Sequence, residues 1–259
     1  MIEKKILVKN LEVNYKVFGE NFPNTQKPLL ILHGWPSSSG KWQNIGELLA
    51  EKGLKIIIPD LPGFGKSQEP INAWNLDTYI EWIREFTEQV DDFGNSFYLL
   101  GHSFGGSLAV KFSVKYNQRV AMLFLVSASC IRKVTWSKKM FYRASKVVKV
   151  FSFLPYYALF RKAFYKFILR KSDYPYVQGI MKETYINVVS EDLSWRLSFV
   201  KVPTIILWGQ KDAVTPLSDA QFIHERIRNS KLVVLPNVQH SLQLEAPEML
   251  VQKILENLQ

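Results

Sequence analysis

Short, almost unbroken apolar runs recur along the first half of the chain: LLILHG (Leu29–Gly34), KIIIPD (Lys55–Asp60), FYLLGH (Phe97–His102) and AMLFLVSA (Ala121–Ala128). Runs of this length without polar alternation suit parallel strands buried on both faces. An earlier stretch, VNYKVFG (Val13–Gly19), alternates apolar and polar residues and predicts an antiparallel edge strand. Between the runs, apolar residues at helical spacing predict helices over Trp42–Lys52, Leu76–Asp92 and Phe104–Tyr116. After Val202 the rhythm resumes with TIILWG, a helix near Leu217–Ile227, KLVVLP and a final helix from Ala246. This order predicts an α/β fold: a mostly parallel, doubly wound sheet with an antiparallel start.

One interval is too long for that rhythm. About 75 residues separate the strand ending near Ala128 from the one starting near Thr204, whereas a parallel crossover needs only one helix. The excess predicts a helical cap over the C-terminal edge of the sheet. The expected organisation is a core of residues 1–130 and 196–259, interrupted by a cap at 131–195.

Composition changes this picture in two places. The net charge of +10 is concentrated in the insertion: between Ile131 and Ser172 stand 12 Lys or Arg and no Asp or Glu, while the remainder carries 21 basic against 23 acidic residues. Within it, Ser137–Phe151 and the stretch after Pro155 read as basic amphipathic helices, with Met140, Phe141, Val147 and then Tyr157, Phe160, Phe164 on the apolar sides. Two readings follow: a lid with a solvated basic exterior, or peripheral contact with an anionic membrane surface. No recognised nucleic-acid module is present, so no nucleic-acid partner is expected. The second change concerns location. Cys130 is the only cysteine, no run approaches about 18 apolar residues, and MIEKKILVKN lacks the apolar stretch of a signal peptide. A cytoplasmic protein without disulfides is expected, and no Cys/His spacing suggests a metal.

The chemistry concentrates at strand ends. GHSFG (Gly101–Gly105) is a G-x-S-x-G pentapeptide where a strand meets a helix. Such a turn lifts a serine hydroxyl above the sheet and aims backbone N–H groups at the same spot. Ser103 is therefore the candidate nucleophile. A serine hydroxyl needs a base, and the base an orienting carboxylate. WGQKDAVTP offers Asp212 after the next strand past the insertion, and LPNVQHSLQLEAPE offers His240 after the last. His224 and Asp219 fall inside a helix, His102 sits beside the serine, and His33 and Asp60 read as braces of their loops. The Phe104 N–H, and a second from the loop after LLILHG at Trp35, are the expected oxyanion hole.

HGWP, PDLPGFGKS, GHSFGG, WGQKDAVTP and VQHSLQLEAPE together resemble the α/β-hydrolase superfamily over nearly the whole chain outside the insertion. The resemblance is closest to small serine esterases and to carbon–carbon bond hydrolases, and it implies a helical cap after the sixth sheet strand and no cofactor. HGWP also resembles the loop of epoxide hydrolases and dehalogenases, but those relatives carry an aspartate nucleophile where this chain has Ser103. The expected function is hydrolysis of a small-molecule carboxylic ester with an apolar acyl or alcohol part, through Ser103, His240 and Asp212. The same residues suit carbon–carbon cleavage of a diketone-like substrate. A ligand- or membrane-binding protein retaining the fold without catalysis is the remaining class.

Overall fold

The computed structural model describes residues 1–21, 27–132 and 178–258. Its strands are β1 (Ile2–Val8), β2 (Leu11–Phe18), β3 (Leu29–Leu32), β4 (Ile56–Pro59), β5 (Phe97–His102), β6 (Val120–Val126), β7 (Thr204–Gly209) and β8 (Ser230–Leu235). They form one sheet in the order β1-β2-β4-β3-β5-β6-β7-β8. β2 runs antiparallel to both of its neighbours, and the pairings from β4 to β8 are parallel. The chain passes from β3 to β4 on one side and returns to β5 on the other. The C-terminal ends of β3 and β5 therefore flank the crevice where open α/β sheets bind ligands.

The apolar runs are continuous because both faces of these strands are covered. Leu99, Leu123 and Ile206 face one core, and Leu100, Phe124 and Leu207 the other. On the first face lie α2 (Leu76–Gln89), α3 (Phe104–Lys115) and, later in the chain, α5 (Leu217–Arg226); on the second lie α1 (Gln43–Ala50) and, after the short α6 (Leu242–Glu245), α7 (Pro247–Leu255). Helix α2 shows how the sequence achieves this. Asn75 caps it by accepting the Thr78 N–H at 2.9 Å, a contact generally worth about 1 kcal/mol. Tyr79, Ile80, Ile83 and Phe86 then recur along one buried stripe.

One expectation is corrected. Val13–Gly19 is not an edge strand: it belongs to β2, which lies between β1 and β4 and is buried along nearly its whole length. The edge is β1. The polar residues that gave β2 its alternation are covered and paired there. The Asn14 amide donates to Glu3 Oε1 at 3.1 Å and to Asp60 Oδ2 at 3.0 Å, and Lys16 lies 3.4 Å from Glu3.

Of the insertion, the described part contains α4 (Gly179–Ser190). It is fastened to the core through Trp74, whose N–H donates to Thr184 Oγ1 at 3.0 Å and whose carbonyl accepts the Asn187 amide at 3.2 Å. The basic helices expected over Ser137–Phe151 and after Pro155 lie outside the described residues. Among the described residues no helix is long and apolar enough to cross a membrane.

Candidate active site

Ser103 sits between β5 and α3 in a conformation that side chains rarely adopt, φ 52° and ψ −115°. Such a backbone costs on the order of 1–3 kcal/mol and persists only where its surroundings impose it. Here the Ser103 N–H donates to the Val126 carbonyl at 3.0 Å, and its own carbonyl accepts from Gly106 at 2.9 Å and Ser129 at 2.9 Å. The flanking glycines are demanded by close packing. A Cβ on Gly101 would stand 2.3 Å from the Gly105 carbonyl oxygen, and one on Gly105 only 2.1 Å from that of Leu32. With the glycines, α3 can start directly behind the serine. The N–H of Phe104, first residue of that helix, then has no intrahelical acceptor.

The candidate acid and base meet at the same sheet edge. Asp212 follows β7, in a turn closed by its own Oδ1, which accepts the N–H groups of Val214 at 2.8 Å and Thr215 at 2.9 Å. Its Oδ2 accepts His240 Nδ1 at 2.8 Å and the Thr215 hydroxyl at 2.9 Å. Burial is the largest influence on this carboxyl and pushes its pKa up. The hydrogen bond and charge of His240 outweigh it, and the net shift is downward.

His240 stands in the loop after β8, and that loop is fixed from three sides. Gly209 lets it approach β7, since a Cβ there would lie 2.0 Å from the Gln239 carbonyl oxygen. The Glu245 carboxylate accepts the N–H groups on either side of the histidine, from Gln239 at 2.8 Å and Ser241 at 3.1 Å. His102 Nε2 donates to the His240 carbonyl at 3.0 Å. The His102 ring is buried, which pushes its pKa down to about 3 and keeps it neutral. The sequence had marked Asp212, His240 and Ser103, but not Glu245, Thr215 or this use of His102. A Glu six residues past the loop's Gln239, and a Thr three past the acid, are the only local signals for the first two.

The other expected residues fall as follows. Trp35, after β3, packs its ring at 4.6 Å from Phe64, 5.6 Å from Phe104 and 5.2 Å from Tyr185, an aromatic wall beside the Ser103 turn. Its loop is adjacent to the serine: a Cβ on neighbouring Gly34 would lie 3.1 Å from Ser103 Cβ. His33 braces that loop, accepting the Leu61 N–H at Nε2 (3.0 Å) and donating from Nδ1 to Gly34 at 2.9 Å. Asp60 ties Ser39, Lys66 and Asn14 together. His224 is exposed on α5 and pairs with Ser230 at 2.9 Å. Cys130 is buried, and burial pushes its thiol up to about 12, far from a reactive thiolate.

Residues 27–163, more than half of the chain, match the family model described as alpha/beta hydrolase fold. Lipase 3 of Moraxella sp. (strain TA144) is 26% identical, the match covering 89% of this chain and 76% of the relative. The proline iminopeptidase of Saccharolobus solfataricus is 28% identical over 95% of this chain and 92% of its own. Among solved structures, an esterase from Exiguobacterium antarcticum superposes with a TM-score of 0.74 at 22% identity, covering 99% of both chains. A meta-cleavage product hydrolase from Pseudomonas fluorescens IP01 gives 0.71 at 22% identity, over 98% of this chain and 96% of its own. The two solved neighbours share the fold, and both sequence relatives are hydrolytic enzymes. The chain belongs to the alpha/beta hydrolase fold family and is a hydrolase of that fold.

Proposed function

We propose that the protein hydrolyses a carboxylic ester with an apolar acyl or alcohol part, using Ser103 as nucleophile, His240 as base and Asp212 as the acid that orients it. The observation that carries this reading is the 2.8 Å pairing of His240 Nδ1 with Asp212. It leaves Nε2 of the same ring as the nitrogen available to take a proton from a serine.

In this mechanism His240 Nε2 removes the Ser103 proton as Oγ attacks the ester carbonyl. The tetrahedral oxyanion is held by the N–H groups of Phe104 and Trp35. Loss of one such donor generally costs a hundred- to a thousand-fold in rate, or about 3–4 kcal/mol of transition-state stabilisation. Protonated His240 then passes its proton to the leaving alkoxide, giving the alcohol and an acyl-serine. Water, deprotonated by His240, attacks that ester and releases the acid. Asp212, with its depressed pKa, stays ionised and stabilises the imidazolium in both half-reactions. The Trp35, Phe64, Phe104 and Tyr185 rings support an apolar group on the substrate.

A panel of p-nitrophenyl esters of graded acyl length tests the reading. Turnover with a clear optimum in chain length, lost in Ser103→Ala, is the expected result. Cleavage of proline p-nitroanilide with no ester turned over would replace the ester by an amide.

A further inference from the structure

Arg132, six residues beyond the end of β6, is a cation most of whose donors have no acceptor among the described residues. A guanidinium carries five N–H groups. Nη1 donates to Ser129 Oγ at 2.7 Å, and Nη2 makes one long contact, 3.4 Å, to the Val188 carbonyl. Nε is buried with no acceptor. Asp192 is the carboxylate whose charge reaches the guanidinium, but its oxygens are taken up by the main chain and a hydroxyl. Oδ1 accepts the N–H groups of Arg132 (2.9 Å) and Ser194 (3.4 Å), and Oδ2 accepts the Ser194 hydroxyl. Among the described residues, no carboxylate forms a salt bridge with the Arg132 side chain. Its burial pushes the guanidinium pKa down, the direction expected of a charge that lacks a close counter-ion.

Such a placement is costly unless something compensates it, because a buried charge is usually paired. The surroundings point to what compensates it. Ser129, the partner of Nη1, donates its own N–H to the Ser103 carbonyl at 2.9 Å, so two hydrogen bonds connect the guanidinium to the nucleophile residue. Val188 lies on α4 one turn beyond Tyr185, whose ring packs on Trp35 at 5.2 Å. The cation is thus bonded to the residue that holds the Ser103 carbonyl and to the helix that carries Tyr185.

We infer that Arg132 recognises an anionic group on the substrate: an ester whose apolar chain ends in a carboxylate or phosphate, bound by the remaining Nη1 and Nη2 N–H groups while its carbonyl reacts at Ser103. This inference rests on the hydrolase reading of Ser103 and narrows its substrate class. A guanidinium presents paired, parallel donors, which match the two oxygens of either anion.

The test compares p-nitrophenyl half-esters of succinate, glutarate and adipate with the butyrate, valerate and hexanoate esters, at constant ionic strength. For at least one chain length, Arg132→Met should lower the anionic-to-neutral ratio of kcat/KM at least about tenfold, mainly through KM, as expected for a lost charge-assisted hydrogen bond. Arg132→Lys should restore part of that ratio. A ratio within about twofold of wild type at every length overturns the inference. The wild-type protein provides a second measurement that does not depend on the variant folding. Glutarate or inorganic phosphate should compete with the valerate ester at least about tenfold better than 1,5-pentanediol, and the stronger of the two names the anion. Equal inhibition by all three overturns it. Wild-type turnover of the neutral esters reports on Ser103 separately: an active enzyme with an unchanged ratio removes the anion site and leaves the nucleophile in place.

Discussion

His102 Nε2 donates a hydrogen bond to the His240 carbonyl at 3.0 Å, so the residue preceding Ser103 holds the main chain of the candidate base. The Ser103 turn and the His240 loop, 138 residues apart in sequence, are joined by this contact. His102→Leu removes the donor and leaves a carbonyl unpaired, which typically costs about 1–3 kcal/mol. We expect kcat to fall about tenfold or more, with His102→Gln, which keeps an N–H donor, falling less. Equal kcat for both variants and wild type would mean that the contact does not position the base.

The same histidine makes stability depend on pH. Its folded pKa is about 3, against about 6.5 for the unperturbed side chain. Between these values the unfolded chain binds a proton that the folded chain does not. Stability is therefore unpenalised above about pH 6.5 and falls as pH drops toward 3, by up to about 1.4 kcal/mol per pH unit for this group. Buried His33 is shifted in the same direction by burial and steepens the fall. Urea unfolding at pH 7.5, 6, 5 and 4.5 measures the slope. His102→Gln should flatten it by up to one proton, and an unchanged slope would show that His102 titrates normally in the fold.

Thr215 donates to the same Asp212 oxygen that accepts His240. Removing the hydroxyl in Thr215→Val takes one donor from the oxygen that holds His240, and about a tenfold loss of kcat is expected, of the order of one hydrogen bond. Thr215→Ser keeps the hydroxyl and should recover most of it. If Ser were as slow as Val, the methyl packing rather than the hydroxyl would be responsible.

Backbone crowding at the nucleophile turn gives a stability prediction with an internal control. A Cβ on Gly105 would lie 2.1 Å from a carbonyl oxygen, whereas one on Gly40 would meet nothing closer than the Ser38 hydroxyl at 3.5 Å. Gly105→Ala should destabilise by at least the 1–3 kcal/mol usual for overpacking, lowering Tm by several degrees. Gly40→Ala should leave Tm nearly unchanged. Comparable Tm values for the two would mean that the turn relaxes more easily than its contacts imply.

What could be read in the sequence follows the range of the interactions. The continuous runs at Leu29, Lys55 and Phe97 announced buried parallel strands because each residue there meets apolar partners whichever face it points to. β1 was not announced: IEKKILV is rich in lysine, as suits an edge, and its ladder depends entirely on β2. That omission also misplaced β2, whose Asn14 and Lys16 look solvent-facing until Glu3 and Asp60 cover them. In the candidate site, Ser103, Asp212 and His240 stood out because the proposed chemistry needs particular residue types at strand ends. Glu245 and Thr215 did not, because carboxylates and hydroxyls are common in loops and only the folded geometry turns them toward His240 and Asp212.

The central claim is that Ser103 is an activated nucleophile, and covalent labelling with a fluorophosphonate reads this without knowledge of the substrate. Intact-mass and peptide analysis should find one phosphonyl adduct, on Ser103, absent in Ser103→Ala and slowed by orders of magnitude in His240→Ala, as the proposed triad requires if its members act as a unit. An unlabelled wild-type protein, or an adduct of equal yield in Ser103→Ala, would contradict the account.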